Sequence, residues 1–174
     1  MKIAVIGTRD PSGPQIRIVR EIVESLDKGS VVVSGCADGI DKVAIEHARN
    51  LGISTEGHVP WPSYNSQIQG LCKVVHVLSM SDQAAFASVD KYHPAPGYLS
   101  MGARKLHGRN YRIIFGCDSV IAAPSNKRGL GGTGQGIRIA LGLGIPLTII
   151  GNNGVKDVDL NTFDAIVAFV QQNW

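Results

Sequence analysis

Residues 131–140 read GGTGQGIRIA. Gly131, Gly132 and Gly134 place no side chain between the backbone and an approaching anion. Thr133 can cap the following helix, whose first-turn N–H groups point at that anion. Arg138, one turn beyond Gly134 on the same helical face, can reach the same charge or stay solvated. Three other short stretches carry related chemistry. GTRD at 7–10 supplies Gly7, Thr8 and Arg9, the last a forked donor for phosphate oxygens. SGCADGID at 34–41 supplies Ser34, Gly35, Asp38 and Asp41. Asp38 suits ribose hydroxyls, and Asp41 opens a helix, where capping competes with ligand contact. PWPSYN at 60–65 offers Trp61 and Tyr64 for stacking on a base, and HGRN at 107–110 offers Arg109 and Asn110 to brace or contact the far side.

Other reactive residue types form no pattern. Cys36, Cys72 and Cys117 are odd in number and contain no C-x-x-C pair, which argues against a zinc site and a disulfide framework. They read as reduced core or near-site thiols, and Cys36 as a packing residue rather than a nucleophile. His47, His58, His76, His93 and His107 are scattered without ligand spacing, so no metal and no cofactor is expected.

The elements that must position these residues alternate along the chain. KIAVI at 2–6 and VVVS at 31–34 are β-branched runs ended by glycine, as in strands buried on both faces; 53–59, 118–123 and 146–150 complete about five parallel strands. Segments 14–26 and 39–52 have helical spacing, with Pro14 in a first turn and Gly52 as a stop. Residues 79–92 read as helix, 71–78 as either edge strand or helix, and 160–174 as a closing helix. Leu99, Ala103, Leu106, Asn110 and Ile113 lie on one stripe, which sets Asn110 among apolar neighbours. The result is an α/β, Rossmann-like, doubly wound parallel sheet with helices on both faces. Its ligands belong at the carboxyl ends of the strands, where the four loops converge.

Length and composition bound the rest. With 174 residues and 44% hydrophobic content, residues 1–174 fit one domain with a sizeable core. No segment reads as a signal peptide or membrane span, and a cytoplasmic protein without a membrane partner is expected. A net charge of +3 with scattered basic residues permits DNA binding without requiring it.

GTRD, SGCADGID, HGRN followed by DSVIAAP, and GGTGQGIRIALGLGIP together resemble the SLOG superfamily of Rossmann-like nucleotide-binding proteins, and within it the DprA-like proteins found in bacteriophages. The resemblance spans roughly residues 3–150. It implies either single-stranded DNA binding, as in DNA-processing DprA proteins, or nucleotide chemistry, as in the phosphoribohydrolases, and a homo-oligomer, a dimer in the relatives. Two departures matter. Where the phosphoribohydrolases carry a glutamate after the glycine loop, this chain has Gln135, Gly136, Ile137 and Arg138, none of which is a carboxylate. Where DprA proteins resemble SGxARGID, the arginine is replaced by Asp38, which repels phosphate. The leading expectation is therefore non-catalytic binding of a nucleotide-derived small molecule, ADP-ribose-like, with sequestration of an immune signal as an analogy from the phage setting. The alternatives are a single-stranded DNA-binding recombination mediator, or an N-glycosidase using Asp10, Asp41 or Asp118.

Overall fold

A computed structural model describes residues 1–174. Its strands are β1 (Lys2–Gly7), β2 (Val31–Ser34), β3 (Ser54–Val59), β4 (Val74–Val77), β5 (Ser119–Ala123), β6 (Leu147–Ile150) and β7 (Lys156–Asp157). Its helices are α1 (Gly13–Glu24), α2 (Ile40–Asn50), α3 (Ser66–Gln69), α4 (Gln83–Tyr92), α5 (Met101–Ile114), α6 (Gly131–Leu143) and α7 (Phe163–Gln172). The strands form one sheet in the order β4-β3-β2-β1-β5-β6-β7, parallel except for the antiparallel β6–β7 pair. The sheet thus has seven strands rather than about five. β4 is a largely exposed edge strand, which blurred its apolar signal, and β7 is two residues long, too short to show a pattern.

Burial on both faces explains the β-branched strands at the centre. On one face Ile3, Val5, Val32 and Ile121 pack against Ile18 and Val19 of α1 and Ile40 and Ala44 of α2. On the other, Ala4, Ile6, Val33, Val120 and Ile149 pack against Ile113 of α5, Ile137 of α6 and Ile166 of α7. β3 alternates instead. Thr55, Gly57 and Val59 are buried while Glu56 and His58 are only partly so, which puts those two on the same, wetter face.

The helix ends follow local chemistry. Ser12 and Gln15 form a reciprocal capping box at the start of α1, with Pro14 in the first turn. Gln15, fully buried, also donates to the carbonyls of Pro124 (3.1 Å) and Ile150 (3.3 Å), tying α1 to the ends of β5 and β6. Asp82, Ser100 and Thr162 cap α4, α5 and α7. α6 has no side-chain cap: its N-cap is Leu130, in the left-handed region at φ 61°. Its first-turn amides therefore remain available to a partner. No helix is long and apolar enough to cross a membrane.

Candidate functional site

The strand order reverses direction at β1, and the crevice between the carboxyl ends of β1 and β5 is the position where open α/β sheets place ligands. The loop after β1 lies against the end of β5 through the Thr8 amide on the Ala123 carbonyl, 2.9 Å. It also touches the loop after β2, where the Ile40 amide donates to the Thr8 carbonyl at 3.1 Å. The loop after β3 joins them: Arg9 donates to the Tyr64 hydroxyl at 3.3 Å, and Asn65 to the Cys36 carbonyl at 3.0 Å. Asn110 of α5 reaches the Gly132 carbonyl at 3.4 Å. All four loops therefore meet around one crevice.

Within it, the residues divide into those that face solvent and those that hold the loops. Arg9, Asp38, Gly131 and Gly132 are exposed, and Thr8 and Trp61 are half-buried. A Cβ added at Gly132 would meet nothing within 4 Å, so the glycine leaves open space above the first turn of α6. Lys127 and Arg128 are exposed just before that turn. Both carry positive charge in the segment that leads into α6.

The remaining expected site residues serve the scaffold. Gly7 carries no side chain because a Cβ there would lie 2.5 Å from that of Ile40, so the glycine admits α2. Ser34 is fully buried and donates to the Val5 carbonyl at 2.7 Å, joining β2 to β1. Gly35 is enclosed by Arg109 and Asp41. Asp41 is buried and accepts the Gly35 and Ala37 amides at 3.0 and 3.3 Å, so it shapes the loop after β2 and caps no helix. Burial raises its pKa, while Arg109 and the two amides work in the opposite direction.

Arg109, not Asn110, is the buried polar residue of α5. It donates to the carbonyls of Gly35 and of His58 (3.3 Å) and lies beneath the Tyr64 ring, 5.4 Å from its centroid. A stripe that continued through Arg109, Ile113 and Ile114 faces the sheet, and this turns Asn110 partly outward. Tyr64 is buried, with Trp61 edge-on to it at 5.5 Å, so only Trp61 retains surface for stacking. Thr133 is buried inside α6 and is not its cap, because the helix already starts at Gly131. Gly134 packs against the Gly129 carbonyl. Arg138 lies over the Phe163 ring at 3.9 Å, and one of its guanidinium nitrogens lies beside Gly129, just before the first turn of α6.

Gln135 stands near the position of a hydrolase glutamate, but it is 1% exposed with both amide atoms unpartnered. It cannot present a group to the crevice. Asp118 accepts the Lys2 amide at 2.7 Å, at the amino end of β5 and so at the end of the strands opposite the crevice. Of the three aspartates considered for catalysis, Asp10 alone is exposed beside the crevice. Cys36 lies 3.7 Å from the sulfur of Cys72, and that thiol together with burial raises its pKa.

Two groupings escaped the sequence reading. Cys36 and Cys72 are neighbours, and His58 and His76 sit directly opposite each other on β3 and β4 with rings stacked at 4.8 Å. Glu56 joins the histidines, its Oε1 2.9 Å from His58 Nε2. Burial pushes His58 down to about 4 despite that carboxylate. No sequence signal marks these pairs, since 18 residues separate the histidines and only the strand register joins them.

A mostly parallel α/β sheet with its loops gathered at the switch point defines a Rossmann-like protein. Residues 1–92 match the family described as DNA recombination-mediator protein A, and the chain belongs to that family. The fold is similar to DNA processing protein A (DprA) from Streptococcus pneumoniae, with 25% identity and a TM-score of 0.65 over 98% of this chain. This chain spans 56% of that structure. It is also similar in fold to DNA processing protein A from Helicobacter pylori, a structure concerned with that protein's single-stranded DNA binding mode. There the identity is 21% and the TM-score 0.59, over 100% of this chain and 74% of the other. No curated protein matches the chain.

Proposed function

We propose that this chain is a DprA-type single-stranded DNA-binding module that holds nucleic acid without cleaving it. The observation that carries the reading is the openness of the switch-point crevice. Its free amides and Arg9 lie on an exposed surface, whereas small-molecule sites enclose most of their ligand. Two cavities of about 330 and 380 Å³ occur elsewhere, and neither is lined by Arg9, Asp38, Trp61 or Gly131–Gly134. In this reading the first turn of α6, with Arg9, Lys127 and Arg128, holds phosphates, and Trp61 stacks on a base.

The acidic Asp38, exposed on the loop after β2, favours a second reading in which the same surface takes a nucleotide by its ribose hydroxyls. Fluorescence anisotropy with a labelled oligothymidylate separates the two. Salt-dependent binding that a mononucleotide fails to displace supports the DNA reading. Complete displacement by a nucleoside monophosphate, or no oligonucleotide binding at low salt, overturns it.

A further inference from the structure

We infer that Glu56, His58 and His76 form an open, three-ligand site for a divalent transition-metal ion, zinc above all. Their ligand atoms all lie within 4.8 Å of one another. Alternation along β3 puts Glu56 and His58 on one face, and the parallel register sets His76 directly beside His58. The site is therefore built into the sheet, not assembled from mobile loops. Glu56 Oε1 is 2.9 Å from His58 Nε2 and 3.4 Å from His76 Nε2. Zinc bonds of about 2.0–2.1 Å give tetrahedral ligand edges of about 3.3–3.4 Å, near the two Glu56–histidine separations, and a tilt of one ring out of the His58–His76 stack is needed to aim both nitrogens at one ion. His76 can supply it, being half exposed on the edge strand.

Two imidazoles and one carboxylate match the preference of zinc, and three protein donors leave a position free for water or an incoming ligand. That position opens on the cavity of about 330 Å³ whose walls include Asp82, Arg109 and Arg112. A metal-free role is the alternative. Lys2 Nζ lies 3.0 Å from Glu56 and would neutralise the carboxylate by itself. The two roles predict opposite consequences of removing Lys2, because an ion must displace it.

The test is titration of the full chain with Zn²⁺ in metal-stripped buffer, followed by calorimetry, with Co²⁺ absorption reporting the ligand type. One equivalent should bind. His76→Ala and His58→Ala should each weaken it by more than about 100-fold, beyond the roughly 10–100-fold typical of losing an outer-shell partner. His47→Gln, paired with Glu24 elsewhere, should leave it unchanged. Lys2→Ala should tighten binding several-fold. Because His76 is exposed, His76→Ala keeps the test readable if His58→Ala unfolds. The inference is overturned by absence of saturable binding, by retained affinity in His76→Ala, by weaker binding in Lys2→Ala, or by thiolate-to-cobalt absorption that marks the cysteines as the ligands.

Discussion

At the scale of single residues, the crevice separates side chains that meet a ligand from those that build the loops, and substitutions should divide the same way. Arg9 is exposed and makes one long hydrogen bond, so Arg9→Ala should leave the melting temperature nearly unchanged. It should weaken oligonucleotide binding by about 1 kcal/mol and flatten the slope of log affinity against log salt by about 0.7, the loss of one phosphate contact. Asp38→Arg should act in reverse, strengthening the oligonucleotide and steepening the slope by a similar amount. Salt titrations by anisotropy measure both. Gly132 provides a cleaner steric probe, because its Cβ space is empty in the folded chain. Gly132→Val should weaken oligonucleotide binding without a protein–protein clash, and an unchanged affinity would place the phosphate elsewhere.

At the scale of elements, α5 organises the loops from below. Arg109 joins the ends of β2 and β3 and stands beside the buried Asp41. Arg109→Ala removes that favourable charge and leaves the buried Gly35 carbonyl without its side-chain donor, so unfolding should become easier by about 1–3 kcal/mol, read by denaturant titration. The sequence showed the central strands and α1, α2 and α6 because their apolar periods are clean and their glycines and Pro14 mark the ends. It showed where the loops would gather, since the switch point follows from alternating strands and helices. It did not distinguish Gly7, Ser34, Gly35 and Asp41 as supports, because a glycine that admits Ile40 and one that admits a phosphate read alike. The face of α5 was misjudged for a related reason: a stripe of apolar residues does not reveal that an arginine is the one turned inward. The Glu56–His58–His76 group was invisible because a strand register, rather than any local spacing, brings it together.

At the scale of the whole molecule, acid should loosen the fold. His107 is held down to about 4 from its ordinary 6.5, first by burial and then by the nearby charges of His93, Arg109 and Arg138. The folded chain therefore takes up this proton later than the unfolded chain, and the stability present above about pH 6.5 is lost progressively as pH falls toward 4. A series of melting temperatures across that window should decline, and His107→Leu should flatten part of the decline. The long reach of the sheet has a consequence in time. β1, at its centre, pairs on one side with β2 but on the other with β5, where Ile3 lies opposite Ser119. While the chain is being synthesised, the central strand keeps one edge bare until more than a hundred further residues have emerged. The stretch that carries the family match, residues 1–92, ends before β5 begins. Produced alone, it should bind a hydrophobic dye and aggregate, because that unfinished edge offers its backbone to any neighbouring chain.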